Sequence, residues 1–132
     1  MMFKVVEGSV NNNMTCDLGN ELCFKLNSTL TSIHSDAENF FVLGLTLSKN
    51  RNANMYTAIG IISDGYTFKW RDGTPVDYSY WNSNVLRADT CAVMFTSLDY
   101  SYISQWVGGW NHNQMSSSFN KAVCKMSAYG NA

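Results

Sequence analysis

Amide side chains and aromatic rings are concentrated in two segments, residues 82–89 and 105–114. An amide offers both a donor and an acceptor to sugar hydroxyls, and an aromatic ring stacks against a sugar face. The same residue types suit a protein-binding surface. We therefore expect recognition here, with Asn82, Asn84, Asp89, Trp106, Asn111 and His112 as candidate ligand-binding residues and Ser83, Arg87, Asn113 and Gln114 beside them.

Catalysis is not indicated by these residues. An active site needs convergent groups of tuned acidity, and the sequence has no G-x-S-x-G, H-E-x-x-H or glycine-rich phosphate loop. The available carboxylates fall mainly in predicted turns without a recognisable pairing: Asp64, Asp72, Asp77, Asp89 and Asp99. We therefore expect a protein that is not an enzyme and has no catalytic residues.

Size and charge restrict the remaining classes. The 132 residues fit one domain, predicted to span 1–132, and 45% apolar content argues against disorder. The formal net charge is -1 without a block of like charge, which gives no reason to expect nucleic acid. No run of about 18 apolar residues is present, so we expect no membrane insertion.

Four cysteines, at positions 16, 23, 91 and 124, predict two disulfides, for which three connectivities are possible. The alternative is four buried free thiols. No pair has C-x-x-C spacing, so a zinc site is not expected there. Disulfides favour an extracellular, secreted protein.

Two segments match the N-glycosylation acceptor, Asn13-Met14-Thr15 and Asn27-Ser28-Thr29. They add support for secretion and for a glycoprotein. The first ten residues lack the apolar core of a secretory signal, so a secreted form would have lost it.

Two helices are predicted in the first half of the chain, after a short strand at residues 3–6. A polar turn at 11–15 leads into a helix over 15–24. Ser35 and Glu38 have the spacing of a capping box, in which Ser35 accepts from the amide of Glu38 and Glu38 reaches back to Ser35. The second helix should end near residues 48–50.

Strands are predicted in the second half, over residues 56–62, 67–70, 91–96, 105–107 and 119–126. A turn is expected at 63–65 and a long loop at 77–90. Helices that precede a run of strands indicate the α+β class.

Taken in order, several motifs resemble the C-type lectin-like domain family. They are Cys23 followed by LTSIHS and Glu38-Asn39, AIGI at 58–61, FKWRDGTPVDYSYW at 68–81, Asp89-x-Cys91, Trp110-Asn111 and AVCK at 122–125. The resemblance covers residues 3–125 and implies the short form without an extra N-terminal hairpin. It implies a fold in which two helices flank small antiparallel sheets with a long irregular loop region.

The central motif of this resemblance has a physical role. Rings at Trp70, Tyr78 and Trp81 can anchor an irregular loop, and Asp72-Gly73 and Pro75 fix its turns. We expect these residues to belong to the core and to support a binding loop without touching the ligand.

The resemblance also implies a Cys23–Cys124 disulfide. It leaves Cys91 without its usual partner, since that position is near Met115, and Cys16 occupies a position where the family has a helix Trp. A Cys16–Cys91 bridge, two free thiols and an intermolecular bridge through Cys16 remain open.

In sugar-binding members of the family, calcium bridges protein and sugar, held by an E-P-N or Q-P-D tripeptide, an acidic residue and W-N-D. Here residues 82–86 contain no Pro and no carboxylate, and His112 replaces the last Asp. Calcium takes six to eight oxygen ligands, and Asp89 and Asn111 are the remaining candidates. His34 is the only histidine companion of His112 and lies far along the chain. We therefore expect no cofactor, with calcium as the alternative, and no zinc.

The expected function is extracellular recognition, with carbohydrate bound without the usual calcium tripeptide site. The alternative is a protein–protein recognition or adhesion module on a lectin-like fold that no longer binds sugar. The partner is then a carbohydrate, a glycoprotein or a protein, and a homodimer is one such arrangement.

Overall fold

The computed structural model describes residues 2–7, 15–47, 56–64, 66–82, 88–96, 107–114 and 121–126. Two helices and seven strands form within them. In chain order they are β1 (Met2–Glu7), α1 (Cys16–Lys25), β2 (Thr29–Leu30), α2 (Asp36–Thr46), β3 (Tyr56–Asp64), β4 (Phe68–Trp70), β5 (Ala88–Phe95), β6 (Trp110–Gln114) and β7 (Lys121–Met126). Neither of these helices has the length and apolar character needed to cross a bilayer.

The described strands join in one sheet with the order β1-β7-β3-β5-β6, while β2 pairs with β7 and β4 with β3. The α+β class and the C-type lectin-like fold are confirmed. The expectation of small antiparallel sheets needs correction, because β7 runs parallel to β3, with Thr57 opposite Lys121 and Ala58 opposite Ala122. This parallel pair joins the terminal strands to the central ones.

The two faces of the sheet bury different clusters, since side chains alternate along each strand. On β3, Ala58 packs with Cys16, Cys23 and the other cysteines on the face covered by α1. Ile59 and Ile61 lie in the second cluster, on the face covered by α2 and by residues 68–81. The continuous apolar centre of β3 was predicted to be buried on both faces, and it is.

Helix α1 confirms the prediction for residues 15–24. It begins after Thr15, whose side-chain oxygen accepts a hydrogen bond from the Leu18 amide at 3.1 Å. Two disulfides attach it to the sheet. Cys23–Cys124 and Cys16–Cys91 have Cα–Cα distances of 5.4 and 6.5 Å. The Cys16–Cys91 alternative is therefore the one that forms.

Helix α2 begins at the predicted cap, where the Glu38 amide donates to Ser35 Oγ at 3.1 Å. The predicted reciprocal bond is wrong, because Glu38 Oε1 accepts from the His34 amide at 2.8 Å instead of from Ser35. The helix ends at Thr46, earlier than predicted, and the Lys121 ammonium donates to the Thr46 carbonyl at 2.7 Å. A cation at this end satisfies a carbonyl that the helix leaves unpaired.

Three boundaries in the second half differ from the prediction. The expected turn at 63–65 is wrong at Ser63 and Asp64, which extend β3 because they pair with Thr90 and Ala88. The expected loop at 77–90 therefore stops where β5 begins. Val107 lies in a turn rather than in a strand, and the neighbouring strand is β6, which the sequence did not indicate. Of these two predicted segments, Gln105 and Trp106, like residues 11–14 of the polar turn, lie outside the described residues.

Candidate ligand-binding site

The end of the long irregular segment is fixed to the start of β6 by backbone hydrogen bonds. The Trp110 amide donates to the Tyr80 carbonyl, and the Asn82 amide donates to the Trp110 carbonyl, both at 2.7 Å. Trp81 and Trp110 form a parallel bridge. Asn82 and Asn111, two of the predicted site residues, are therefore brought onto neighbouring stretches of backbone.

An aromatic cluster lies beneath this junction. Trp110 is fully buried, and its ring makes edge contacts with Trp70, Tyr78 and Trp81 at centroid distances of 5.5, 5.8 and 5.4 Å. Edge-to-face contacts of this kind stabilise a cluster beyond the burial of its surface. The prediction that the rings at 70, 78 and 81 anchor the segment is confirmed.

A buried amide connects the cluster to α2. Asn39 Oδ1 accepts from the Trp110 indole N–H at 2.8 Å, and Asn39 Nδ2 donates to the Gly108 carbonyl at 3.1 Å. Asn39 is completely buried. The helix thus holds both the turn before β6 and the first residue of β6, next to Asn111.

Below the aromatic rings, Asp72 organises the turn of the D-G-T-P motif. It accepts hydrogen bonds from the Ser32 and Thr74 hydroxyls and, at 3.0 Å, from the Thr74 amide. Burial raises the pKa of the Asp72 carboxyl, but these hydrogen bonds, together with the charge of Lys125, outweigh it and hold the pKa below its ordinary value. The turn is therefore fixed to the segment before α2.

A second set of bonds joins the same two segments. His34 contacts Asp77 Oδ1 through Nδ1 at 2.7 Å and Thr74 Oγ1 through Nε2 at 2.9 Å. The hydrogen bond from His34 lowers the pKa of Asp77. Tyr78 donates to Asp36, and its pKa is raised by burial and then by this bond. His34 is thus occupied in holding the loop, far from a role beside His112.

The ammonium of Lys125 closes the base. It is 8% exposed and lies 3.0 Å from Glu38 Oε2 and 3.1 Å from Ser32 Oγ. A buried cation is tolerated when it is paired in this way. Strand β7, α2 and the segment before α2 are therefore held as one support for the residues above.

The calcium site implied by the resemblance fits poorly with the strand register. Asn111 is opposite Val93, and Asp89 lies four residues before Val93 on β5. That offset is about 13 Å along a strand, whereas two oxygens on one calcium ion are at most about 5 Å apart. This register does not bring Asp89 and Asn111 onto one ion. Within the described residues there is also no cluster of three His, Cys, Asp or Glu that could hold a metal.

The other predicted site residues are placed less fully. Asp89 and His112 have defined backbone positions, on β5 and β6, and His112 is opposite Ala92; their side chains are outside the described part. Asn84 and Trp106 lie outside the described residues altogether. Asn111 and Asn82 are both half-buried.

Sequence reasoning missed the role of Asn39. The residue had been noted only as part of the Glu38-Asn39 motif. A polar residue in an otherwise apolar helix segment was the available signal, since such a side chain needs a buried partner. The partners, Trp110 and Gly108, are 71 and 69 residues away and could not be identified from spacing.

A family model described as the lectin C-type domain matches residues 12–126. A 66-residue stretch, 49% of the chain, is 36% identical to the secretory phospholipase A2 receptor of Bos taurus, and it covers 4% of that protein's length. Domains of this family are generally recognition modules without enzymatic activity.

Two solved structures are similar to this one. For a calcium-independent type II antifreeze protein the TM-score is 0.68 at 24% identity, and 92% of this chain and 84% of that chain are covered. For the cow C-type carbohydrate-recognition domain of CD23, crystallised in the presence of a GlcNAc2Man3 oligosaccharide, it is 0.67 at 23% identity, with the same coverage. These identities support the fold alone. With the family match over most of its length, the chain belongs to the C-type lectin domain family.

Proposed function

We propose that this chain is an extracellular, non-enzymatic recognition domain that binds carbohydrate without the calcium tripeptide site. The observation that carries the proposal is the backbone pairing of Asn82 with Trp110. It puts the amides of Asn82 and Asn111 on neighbouring stretches of backbone above a rigid aromatic base. Each amide offers a donor and an acceptor, which is what adjacent sugar hydroxyls require.

A pre-formed support favours binding because little conformational entropy is lost when the ligand arrives. Here the support consists of the buried Trp110 ring, the Asn39 amide and the paired Lys125. The remaining site residues of the proposal are Asn84, Asp89, Trp106 and His112, with Trp106 as the ring for sugar stacking.

The relatives are compatible with sugar binding and with function without calcium. The similar domain from cow CD23 is a carbohydrate-recognition domain, and the similar antifreeze protein is described as calcium-independent. The poor register of Asp89 and Asn111 for a shared ion supports the second point. Two disulfides support an oxidising, extracellular location.

A glycan array probed with the purified domain, with and without chelator, tests this proposal. We expect glycan signal that chelator leaves unchanged and that Asn82→Ala and Asn111→Ala each reduce. Ser79→Ala, at an exposed position in the same segment, is the matched control and should bind normally. An array without signal, or a signal abolished by chelator, would refute the proposal.

Protein recognition is the second candidate, and one observation favours it. The outer side of α2 and the residue after it expose large apolar side chains, at 44%, 54%, 44% and 41% for Phe40, Phe41, Leu45 and Leu47. Exposed apolar patches commonly mark protein interfaces. Sedimentation equilibrium would show a dimer that Phe41→Ser with Leu45→Ser dissociates if the partner is a second copy of the chain. A monomer at all concentrations would exclude that arrangement.

A further inference from the structure

The turn that ends α1 presents an asparagine to solvent. Asn27 is exposed and has φ of 55°, a left-handed conformation that asparagine tolerates better than most residues. It begins the acceptor triplet Asn27-Ser28-Thr29. An acceptor on an exposed turn is in the position where a bulky, solvated modification is accommodated.

The residues around Asn27 are already satisfied without its side chain. The Ser28 amide and hydroxyl both donate to the Cys23 carbonyl, at 3.0 and 2.8 Å. Thr29 pairs with Lys125 in the sheet. Within the described residues, the Asn27 side chain makes no hydrogen bond. A glycan attached there would therefore displace no contact seen in this part of the fold.

An exposed aromatic ring lies beside the asparagine. Phe24 is 76% exposed, and its carbonyl accepts from the Asn27 amide at 3.0 Å. The two are thus the first and fourth residues of a turn, with Cα atoms within about 7 Å. Both line a shallow depression of about 400 Å³, together with Ser28 and Thr29. Depressions of this size are in the range that small-molecule groups occupy.

We propose that Asn27 is N-glycosylated and that the first sugar of the glycan packs against Phe24. In the transfer step, Asn27 Nδ2 forms a bond to the anomeric carbon of a lipid-pyrophosphate-linked oligosaccharide. The bond between that carbon and the pyrophosphate oxygen breaks, the lipid pyrophosphate leaves, and the amide releases one proton. The donor belongs to the eukaryotic secretory pathway, whose oxidising compartment also suits the two disulfides.

The packing against Phe24 follows from its exposure. An aromatic ring left in water costs free energy in proportion to its apolar area. The apolar face of a pyranose held two bonds beyond the Asn27 side chain removes part of that area from water. The glycan should therefore stabilise the fold as well as cover the turn.

Secretion of the full chain from a eukaryotic host, followed by peptide mapping, tests the modification. After reduction, trypsin separates residues 26–49, which contain Asn27, from residues 5–25, which contain Asn13. Amidase release of the glycan in ¹⁸O-water should label the 26–49 peptide. Asn27→Gln and Thr29→Ala should each abolish that label. A secreted wild-type chain whose 26–49 peptide is unmodified would overturn the proposal.

Thermal unfolding tests the contact with Phe24. Each kcal/mol of glycan stabilisation should raise the Tm of the glycosylated chain by about 2–4 °C relative to the amidase-treated chain. Phe24→Ala should remove this difference, whereas Phe41→Ala, which truncates an exposed ring on α2, should preserve it. An undiminished difference in Phe24→Ala would overturn the packing contact, and the peptide map would still decide the modification.

Discussion

Asn39 and Trp110 form the buried hydrogen bond that ties α2 to the strand carrying the candidate site. The indole N–H donates to Asn39 Oδ1 at 2.8 Å, and both residues are completely buried. The same amide donates to the Gly108 carbonyl. Because Trp110 also pairs with Tyr80 and Asn82 through its backbone, this contact fixes both sides of the site at once.

Replacing Asn39 with Ala should destabilise the protein by about 3 kcal/mol, because two buried groups lose their partner and a small cavity remains. Urea unfolding at neutral pH measures the change. Asn20→Ala is the matched control, since its side chain accepts one longer bond, from the Leu30 amide at 3.4 Å, in a partly buried place. It should cost less than about 1 kcal/mol. Equal losses in the two variants would contradict this role of Asn39.

The Cys16–Cys91 disulfide should contribute strongly to stability. It closes a loop of 75 residues, for which the chain-entropy relation gives about 4 kcal/mol. The double variant Cys16→Ala with Cys91→Ala should lose stability on that scale in urea unfolding. Peptide mapping without reduction should show this bridge and Cys23–Cys124 in the wild type. Free thiols at 16 and 91, or a bridge between two chains, would refute the assignment.

The two glycines Gly60 and Gly44 should respond to alanine in opposite directions. A Cβ at Gly60 would collide with the backbone carbonyls of Leu30 and Thr31, whereas a Cβ at Gly44 meets nothing within 4 Å. Gly60→Ala should destabilise the fold by about 3 kcal/mol. Gly44→Ala should stabilise it by up to about 1 kcal/mol through helix propensity.

Both glycine variants are measured by the same denaturant titration. A neutral Gly60→Ala would mean that the segment before α2 moves freely away from β3. This result would contradict the hydrogen bond from the Gly60 amide to the Thr31 carbonyl at 2.8 Å.

Asp72 should make the fold sensitive to acid. Its pKa in the folded chain is lower than the ordinary value of 3.8, so the unfolded chain takes up the proton first as pH falls. The stability contributed by the carboxylate is therefore complete above about pH 4 and is lost as pH falls through the folded pKa. Asp72→Asn should cost about 1 kcal/mol at pH 7, an exposed-side value, and flatten the loss below pH 4.

Urea midpoints measured between pH 7 and pH 2.5 check the acid dependence. Ser32→Ala is the companion variant, because its hydroxyl donates to Asp72; it should weaken the acid dependence without removing the carboxylate. An acid profile of Asp72→Asn that parallels the wild type would contradict the account.

Local patterns predicted the elements whose signals are contained within a few residues. The cap at Ser35, the apolar run of β3 and the rings at 70, 78 and 81 are of this kind. Strand β6 was missed because WNHNQ has low strand propensity. It is a strand because β5 supplies its partner, with Met94 opposite Trp110 and Val93 opposite Asn111.

Choices between distant partners were beyond local patterns. Four cysteines allow three pairings, and sequence spacing did not settle the partner of Cys16. Glu38 has the spacing to bond Ser35, yet it accepts from the His34 amide and pairs with Lys125. At the site, Asn82 and Asn111 were predicted as candidates, but their approach depends on the pairing of residues 80–82 with β6.

Titration of the strongest array glycan into the domain tests the central claim most directly. Calorimetry would be run once with chelator and once with about 1 mM calcium, a concentration at which extracellular calcium modules fill. We predict the same Kd in both buffers, weakened at least about tenfold by Asn82→Ala or Asn111→Ala, which is about 1.4 kcal/mol for one lost polar contact. Binding that appears only with calcium, or a Kd unchanged by both substitutions, would contradict it.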